Sequence, residues 1–222
     1  TRALTGEEIA AHYDSVASGR AMPYFPRPEA KGVYADTVLQ DNPIGYWRLD
    51  DAGPTAVDLS GNGNDGEERF EGAVEWGAAS LLAFDPNASA GMIGEGIIVP
   101  DFEKVGPNGF SLEFIMLIEQ AELGGFTNLV GDGTGGLNFM LMVYLTAGGN
   151  IRPHYQTTDS FYSQDTVESY ADGMPHHVVS VWDAQTGEAV IYVDGEAVEA
   201  NPSAGSFPTT GEAIFTGNPL YI

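Results

Sequence analysis

The sequence predicts an all-β fold, a sandwich of two sheets, with a short helix near its amino terminus. Runs rich in β-branched and aromatic residues recur along residues 44–222, and most are bounded by Gly, Asn, Asp or Pro. The 29 glycines and 13 prolines indicate many turns between short strands. The chain has 222 residues, enough to bury a substantial core, and its lack of cysteine excludes a disulfide scaffold and thiolate metal sites.

Residues 4–17 carry the strongest helix signal. Thr5 is the expected N-cap, and Glu8 follows three residues later, which together form a capping box. Ile9, Tyr13 and Val16 recur at helical spacing and predict one apolar face. We therefore expect residues 1–18 to be a helical segment.

Residues 19–43 separate this helix from the predicted sandwich. They contain Pro23, Pro26, Pro28 and Pro43, and they show no hydrophobic periodicity. This pattern predicts an extended, Pro/Gly-rich linker.

The strand candidates of residues 44–222 are short apolar runs with turn residues on either side. Asp194-Gly195 suits the type I′ turn of a tight hairpin. This spacing favours a two-sheet sandwich whose strands alternate between core and solvent. The candidates are residues 97–100, 110–118, 137–145, 176–182 and 189–193.

The composition is strongly acidic, with 32 Asp and Glu against 8 Lys and Arg and a formal net charge of −24. Such a field repels phosphate, so we expect neither nucleic-acid binding nor docking on anionic membranes. No stretch approaches the ~20 apolar residues of a spanning helix, so we expect no membrane insertion. The acids are interpreted as a solvated surface; alternatively, one acidic face docks on a basic partner or gathers divalent cations.

Several motifs, in order, resemble the LamG-like domains of the concanavalin A-like lectin/glucanase class. The resemblance implies a jelly-roll sandwich over residues 44–222. Pro175 stands where the family's WHHVA strand has Trp. The motifs are residues 46–51 (YWRLDD) with 56–66 (AVDLSGNGNDG), 111–114 (SLEF, near the family's TLEAW), 176–179 (HHVV) and 187–195 (GEAVIYVDG).

The order of one further motif departs from the family. Residues 2–13 (RALTGEEIAAHY) resemble the tail that follows such a domain, yet here they precede it. The resemblance therefore implies that residues 1–18 are the tail of a preceding copy and that residues 44–222 lack their closing strand. Tandem copies or a neighbouring subunit would supply that strand.

A Gly-rich loop contains the candidate metal ligands Asp58, Asn62, Asn64 and Asp65. Ca²⁺ takes 6–8 oxygen ligands, and the resemblance implies a metal here in some members. The alternative is a tight turn in which these side chains bond their own backbone.

Residues 146–172 combine polar and aromatic side chains. Within them, His154, Tyr155, Phe161 and Tyr162 are the candidate ligand-binding residues, because sugars bind aromatic faces flanked by polar groups. The alternative is a strand whose aromatics alternate into the core.

The sequence offers no catalytic constellation, so we expect a protein that is not an enzyme. It lacks both the E-x-D-x-x-E cluster of related glucanases and a G-x-S-x-G nucleophile elbow. His176 and His177 are adjacent on a strand and point to opposite faces, so they cannot share one metal.

The predicted function is a non-catalytic recognition or assembly module of a large protein. We expect it at an extracellular, cell-surface or virion-surface location, binding glycan or a partner protein. The alternative is a purely architectural virion protein, such as a tail fibre or a capsid decoration. A glycoside hydrolase is a third class, for which the sequence nominates no carboxylate pair.

Overall fold

The computed structural model describes residues 2–18, 33–82, 87–92, 96–100, 102, 109–132, 141–156, 161–183, 186–205 and 219–222. Helix α1 spans Gly6–Ser18 and helix α2 spans Val33–Gln40, and a 3₁₀ turn covers Gln120–Glu122. The strands are β1 (Thr55–Ala56), β2 (Gly66–Glu68), β3 (Val74–Ala78), β4 (Ser89–Met92), β5 (Ile97–Val99), β6 (Phe110–Met116), β7 (Thr127–Gly131), β8 (Leu141–Leu145), β9 (Ile151–Gln156), β10 (Phe161–Thr166), β11 (His176–Asp183), β12 (Glu188–Val193), β13 (Glu196–Ala197), β14 (Ala200–Gly205) and β15 (Leu220–Tyr221).

The strands form two main antiparallel sheets. Within the described residues, nine strands make the larger sheet, in the order β1-β2-β5-β15-β7-β8-β9-β10-β14. Four strands make the smaller sheet, in the order β13-β12-β11-β6, and β3 pairs with β4 separately. The predicted all-β, concanavalin A-like sandwich is confirmed.

The main core lies between the two sheets. Val143 and Ile151 enter it from the larger sheet, and Val178, Trp182 and Ile191 enter it from the smaller sheet. Side chains alternate across a strand, so every second residue of these strands points inward. Burial of apolar surface here is the main force that holds the two sheets together.

The smaller sheet is covered on both faces. Its inner face lines the main core, while Val179 and Val181 on its outer face pack against Ile9 of α1. A strand covered on both sides needs no polar alternation, which explains why β11 is buried over most of its length.

Helix α1 forms for the reason that the sequence predicts. The Thr5 N–H donates to the Glu8 carboxylate at 2.7 Å, and the Glu8 N–H donates to Thr5 Oγ1 at 3.3 Å. These reciprocal bonds satisfy amide groups that the first helical turn leaves open. The predicted capping box is confirmed. The helix lies on this same domain, and its assignment to a preceding copy stays a prediction.

The extended conformation predicted for residues 33–43 is wrong in part, because residues 33–40 form α2. Ala35, Val38 and Leu39 are buried, and their i, i+3, i+4 spacing gives the helix one apolar face. The helix was not predicted because this short pattern lies between prolines, which favour an extended or turn conformation. The remainder of the predicted linker, residues 19–32, lies outside the described residues.

The predicted strands are found with small shifts in their ends, and residues 137–140 lie outside the described residues. Asp194 and Gly195 have φ values of 53° and 83°, which confirms the predicted type I′ hairpin between β12 and β13. Strand β15 lies between β5 and β7 in the larger sheet. The absence of a closing strand stays a prediction.

Within the described ranges, the helices are too short and too polar to cross a lipid bilayer.

Candidate functional site

The predicted calcium loop is built around the carboxylate of Asp58. Its Oδ1 accepts the N–H groups of Tyr46 and Ser60, both at 2.9 Å. Its Oδ2 accepts the Ser60 hydroxyl at 2.8 Å and the Asn64 N–H at 2.9 Å. Both oxygens of this buried carboxylate therefore face hydrogen-bond donors.

The other predicted ligands also bond the backbone. Asp65 Oδ1 accepts the Asp58 N–H at 2.8 Å, and the side-chain amides of Asn62 and Asn64 donate to the Ile44 carbonyl. The four side chains thus come together, but in a hydrogen-bonded turn and not as an open cage of oxygens. Among the described residues, no group of three or more His, Asp or Glu side chains could hold a metal ion. Calcium binding stays a prediction that this geometry does not favour.

The four predicted ligand-binding residues are split between the two faces of the larger sheet. Tyr155 and Tyr162 pair across β9 and β10 and point into the main core, where they are only 1% and 6% exposed. A surface ligand does not reach them, so the structure corrects this half of the predicted site. His154 and Phe161 are their alternate neighbours and point to the outer face.

His154 and Phe161 form a stacked pair on this outer face. Their ring centroids are 5.5 Å apart and their planes differ by 1°. Partial burial and the positive charge of Arg152 lower the pKa of His154 to about 4. The ring is therefore neutral at physiological pH and presents a flat, uncharged surface beside the exposed Phe161.

A second aromatic group lies on the same face. The Arg152 guanidinium stands 5.3 Å from the Phe126 ring centroid and 5.7 Å from that of Tyr144. Phe126 and Tyr144 meet edge to face at 5.2 Å. Asp165 accepts two hydrogen bonds from Arg152, which fixes the guanidinium and raises its pKa.

We call Phe126, Tyr144, Arg152, His154 and Phe161 the aromatic face. The sequence prediction missed the first three, although Arg152 stands two residues before His154 and so shares its face. That alternation was the signal available in the sequence. Phe126 is 67% exposed and Phe161 is 45% exposed, unusual for large apolar side chains without a partner surface.

The structure also contains a buried polar cluster that the sequence did not reveal. Glu113 on β6 accepts hydrogen bonds from the His177 ring and the Tyr34 hydroxyl, both at 2.8 Å. His12 of α1 meets the same carboxylate at 2.8 Å and meets Asp41 at 2.9 Å. These charge-assisted bonds lower the pKa of Glu113 to about 2 despite its burial. The cluster lies under the two helices, away from the aromatic face.

The adjacent histidines of β11 are placed as their alternation requires. His177 faces the helices and is buried, and its Nδ1 has no hydrogen-bond partner among the described residues. His176 faces the other way and meets Asp194 at 2.8 Å and Asp172 at 3.2 Å. They do not share one site.

The fold is similar to part of solved sialidase structures. Trypanosoma rangeli sialidase in complex with 2,3-difluorosialic acid, as a covalent intermediate, matches 97% of this chain at 17% identity with a TM-score of 0.55. The chain spans 32% of that sialidase's length, so the likeness shows a shared fold alone.

Two further structures match with TM-scores too low to establish a shared fold. The Ruminococcus gnavus IT-sialidase CBM40 bound to α2,3-sialyllactose has a TM-score of 0.39 at 16% identity, over 52% of this chain and 64% of its own. The mouse laminin α1 chain domains LG4-5 have a TM-score of 0.37 at 17% identity, and the match covers 53% of this chain and 31% of theirs.

No curated protein matches the chain in sequence. A family model described as the concanavalin A-like lectin/glucanases superfamily matches residues 91–220, more than half of the chain. This range contains the inner strands of both sheets and all of the aromatic face. The chain therefore belongs to the concanavalin A-like lectin/glucanase superfamily.

Proposed function

We propose that this chain is a non-catalytic recognition module that binds glycan on the aromatic face. The observation that carries this proposal is the group of exposed rings on the outer face of the larger sheet, led by Phe126 and Phe161. Aromatic rings pack against the C–H surfaces of sugars, while neighbouring polar groups bond the hydroxyls. Membership of a superfamily that includes lectins supports the same ligand class.

The two parts of the aromatic face are spaced along one strand. Arg152 holds the Phe126 and Tyr144 rings, and His154 stacks on Phe161 two residues further along β9. Two residues of a strand span roughly 7 Å. An extended oligosaccharide lying along β9 therefore contacts both parts.

The polar groups of this face are fixed before any ligand arrives. Asp165 holds the Arg152 guanidinium in a two-point ion pair, and the sheet backbone holds Tyr144 opposite Arg152. Fixed side chains lose little conformational entropy on binding, which favours affinity. A rigid strand-borne surface is also suited to a binding module.

A non-catalytic role is supported by the state of two carboxylates, one beside the aromatic face and one on the other sheet. The Asp165 carboxylate is engaged by Arg152, and Glu113 is buried beneath the helices, where no substrate reaches it. Glycoside hydrolysis generally requires two accessible carboxyl groups on either side of the scissile bond. We therefore propose recognition without turnover.

We place this module outside the cell or on a particle surface. The charge of −24 and the absence of cysteine suit an exposed, disulfide-free domain that stays soluble in salt. Glycan-bearing partners are found at such surfaces. Protein partners and neighbouring copies of the domain are compatible with this placement.

An array of immobilised oligosaccharides, neutral and sialylated, tests this function. We expect binding by the wild-type protein that falls at least tenfold in Phe126→Ala and Phe161→Ala, measured by calorimetry on the strongest array hit. Met174→Ala is the matched control, because Met174 is also exposed but lies in the loop before β11. The same sugars, incubated with the protein, should release no product.

Two results would contradict this function. One is the absence of binding to any sugar on the array, which would favour the architectural role. The other is product release that depends on an Asp or Glu, which would favour a hydrolase.

A further inference from the structure

We propose that α1 is a proton-dependent latch. One proton on His12 keeps the helix docked on the outer face of the smaller sheet, and loss of that proton releases it. This inference does not depend on glycan binding, because the latch and the aromatic face belong to different sheets.

The protonation state of docked His12 follows from its partners. The ring is 3% exposed, its Nδ1 lies 2.8 Å from Glu113 Oε2, and its Nε2 lies 2.9 Å from Asp41 Oδ2. Ionised carboxylate oxygens only accept hydrogen bonds, so both ring nitrogens must carry a hydrogen. Docked His12 is therefore an imidazolium ion.

Every element packed against His12 contributes a polar group. Glu113 comes from β6, His177 from β11 and Tyr34 from α2, and the latter two donate to the same Glu113 oxygen. Asp41 follows α2, and its carboxylate also forms an ion pair with the Arg2 guanidinium at 3.2 Å. Arg2 in turn pairs with the Glu8 carboxylate at 2.7 Å, outside the buried part.

Loss of the His12 proton would leave this arrangement unbalanced. One ring nitrogen would then present a lone pair to a carboxylate oxygen at less than 3 Å, although the ring itself is only 3% exposed. An unpaired buried charge is costly in such surroundings. The apolar contacts described between α1 and the smaller sheet centre on Ile9 against Val179 and Val181, with Ala3, Leu4 and Tyr192 at their edge. The Tyr13 ring also stacks on His177, with the ring centroids 6.1 Å apart.

The pH range of docking follows from the direction of each shift. Burial opposes the charge on His12, but the two carboxylate partners outweigh burial and raise its pKa. The stabilisation of docking by His12 is therefore complete below its ordinary pKa of about 6.5 and is lost as pH rises through the raised pKa. The pKa of Glu113 is lowered to about 2. Its stabilisation of docking is therefore complete above about pH 4.5 and is lost as pH falls toward 2. Docking is therefore strongest between about pH 4.5 and 6.5.

Hydrogen exchange of the α1 amides tests the latch on the whole chain. Protection factors, which correct for the intrinsic effect of pH on exchange, are measured for residues 9–13 between pH 5 and 9. We expect a plateau below about pH 6.5, then a fall of at most tenfold per pH unit up to the raised pKa of docked His12, and a second, lower plateau above that pKa. Amides of β11 are the internal reference and should keep their protection.

Variants assign the effect to His12. His12→Gln should remove the pH dependence of α1 protection and lower that protection throughout the range. Glu113→Gln keeps the side-chain volume and should reduce the slope of α1 protection against pH. His176→Gln is the matched control, because His176 also meets two carboxylates, and these belong to Asp172 and Asp194, which lie outside both helices. The NMR titration of the His12 ring should have its midpoint above 6.5.

Three outcomes would overturn the latch. A wild-type protection factor of α1 that stays flat from pH 5 to 9 is the first. A slope that persists in His12→Gln, or disappears in His176→Gln, would assign the proton to another group. A His12 titration midpoint below its ordinary value is the third.

Discussion

At the scale of single residues, neighbouring aromatics of β9 and β10 have opposite roles. Tyr155 packs between the sheets against Phe110 and Trp182, and its hydroxyl bonds Ser180. Phe161, one strand away, extends from the outer face and stacks on His154. The side-chain alternation of strands thus divides one aromatic segment into a half that packs in the core and a half on the outer face, where we propose that glycan binds.

This division predicts different effects for two similar truncations. Tyr155→Ala should lower the free energy of unfolding by about 3–5 kcal/mol, because it removes a large ring from a packed core. Phe161→Ala should change it by about 0.5 kcal/mol or less, because the ring is 45% exposed and lies outside the packed core. Urea denaturation at neutral pH measures both. Equal losses in the two variants would contradict the assignment of faces.

From the sequence, residues 146–172 could be recognised as polar and aromatic, but their core-facing side chains could not be told from the outward-facing ones. His154, Tyr155, Phe161 and Tyr162 were predicted together because polar and aromatic residues are mixed there, and the phase of the alternation is set only by how β9 packs on the core. Arg152 was missed although its two-residue spacing from His154 indicated a shared face, and Phe126 was missed because a lone phenylalanine carries no motif. Glu113 was missed because its partners are distant in sequence.

At the scale of elements, the loop of residues 58–65 holds the first part of the domain in place. The Asp58 carboxylate accepts hydrogen bonds from the N–H groups of Tyr46 and Ser60. The Trp47 indole N–H donates to the Asn64 carbonyl at 2.7 Å. The loop thus fixes Trp47 beside the core through hydrogen bonds of its own side chains and backbone.

A structural role for this loop predicts a melting temperature that is the same in Ca²⁺ and in chelator. Asp58→Ala should lower the free energy of unfolding by about 1.5–3 kcal/mol, because buried N–H groups lose a charged acceptor. Thermal melts of both proteins, with and without Ca²⁺, measure these effects. A melt of the wild-type protein that rises with Ca²⁺ and does not do so in Asp58→Ala would restore the calcium site.

The two helices show how far local signals predict an element. Helix α1 was predicted from its capping box, which is a local pattern that the structure preserves. Helix α2 was not, because its eight residues lie close to prolines and its helical state depends on packing against the rest of the domain. Short helices of this kind are stabilised mainly by tertiary contacts.

At the scale of the whole molecule, the two sheets differ in what covers them. Helix α1 packs on the outer face of the smaller sheet, whereas the larger sheet presents the aromatic face to solvent. The helix that we propose is proton-sensitive thus lies on the smaller sheet, and the face that we propose binds glycan lies on the larger sheet.

The fold class was predictable because it depends on repeated features. Strand-length apolar runs, turn residues and family motifs recur along most of the chain, so errors at single positions do not change the outcome. Strand order in the larger sheet, where β15 lies between β5 and β7, was not predictable, because it depends on pairings between residues distant in sequence.

The most direct test of glycan binding on the aromatic face is an NMR titration of the wild-type protein with the strongest sugar from the array. Chemical-shift changes should be concentrated at Phe126, Tyr144, Arg152, His154 and Phe161, and should be small at residues 58–65. Changes concentrated on the loop of residues 58–65 or on α1 would contradict the proposed site, as would the lack of any saturable change.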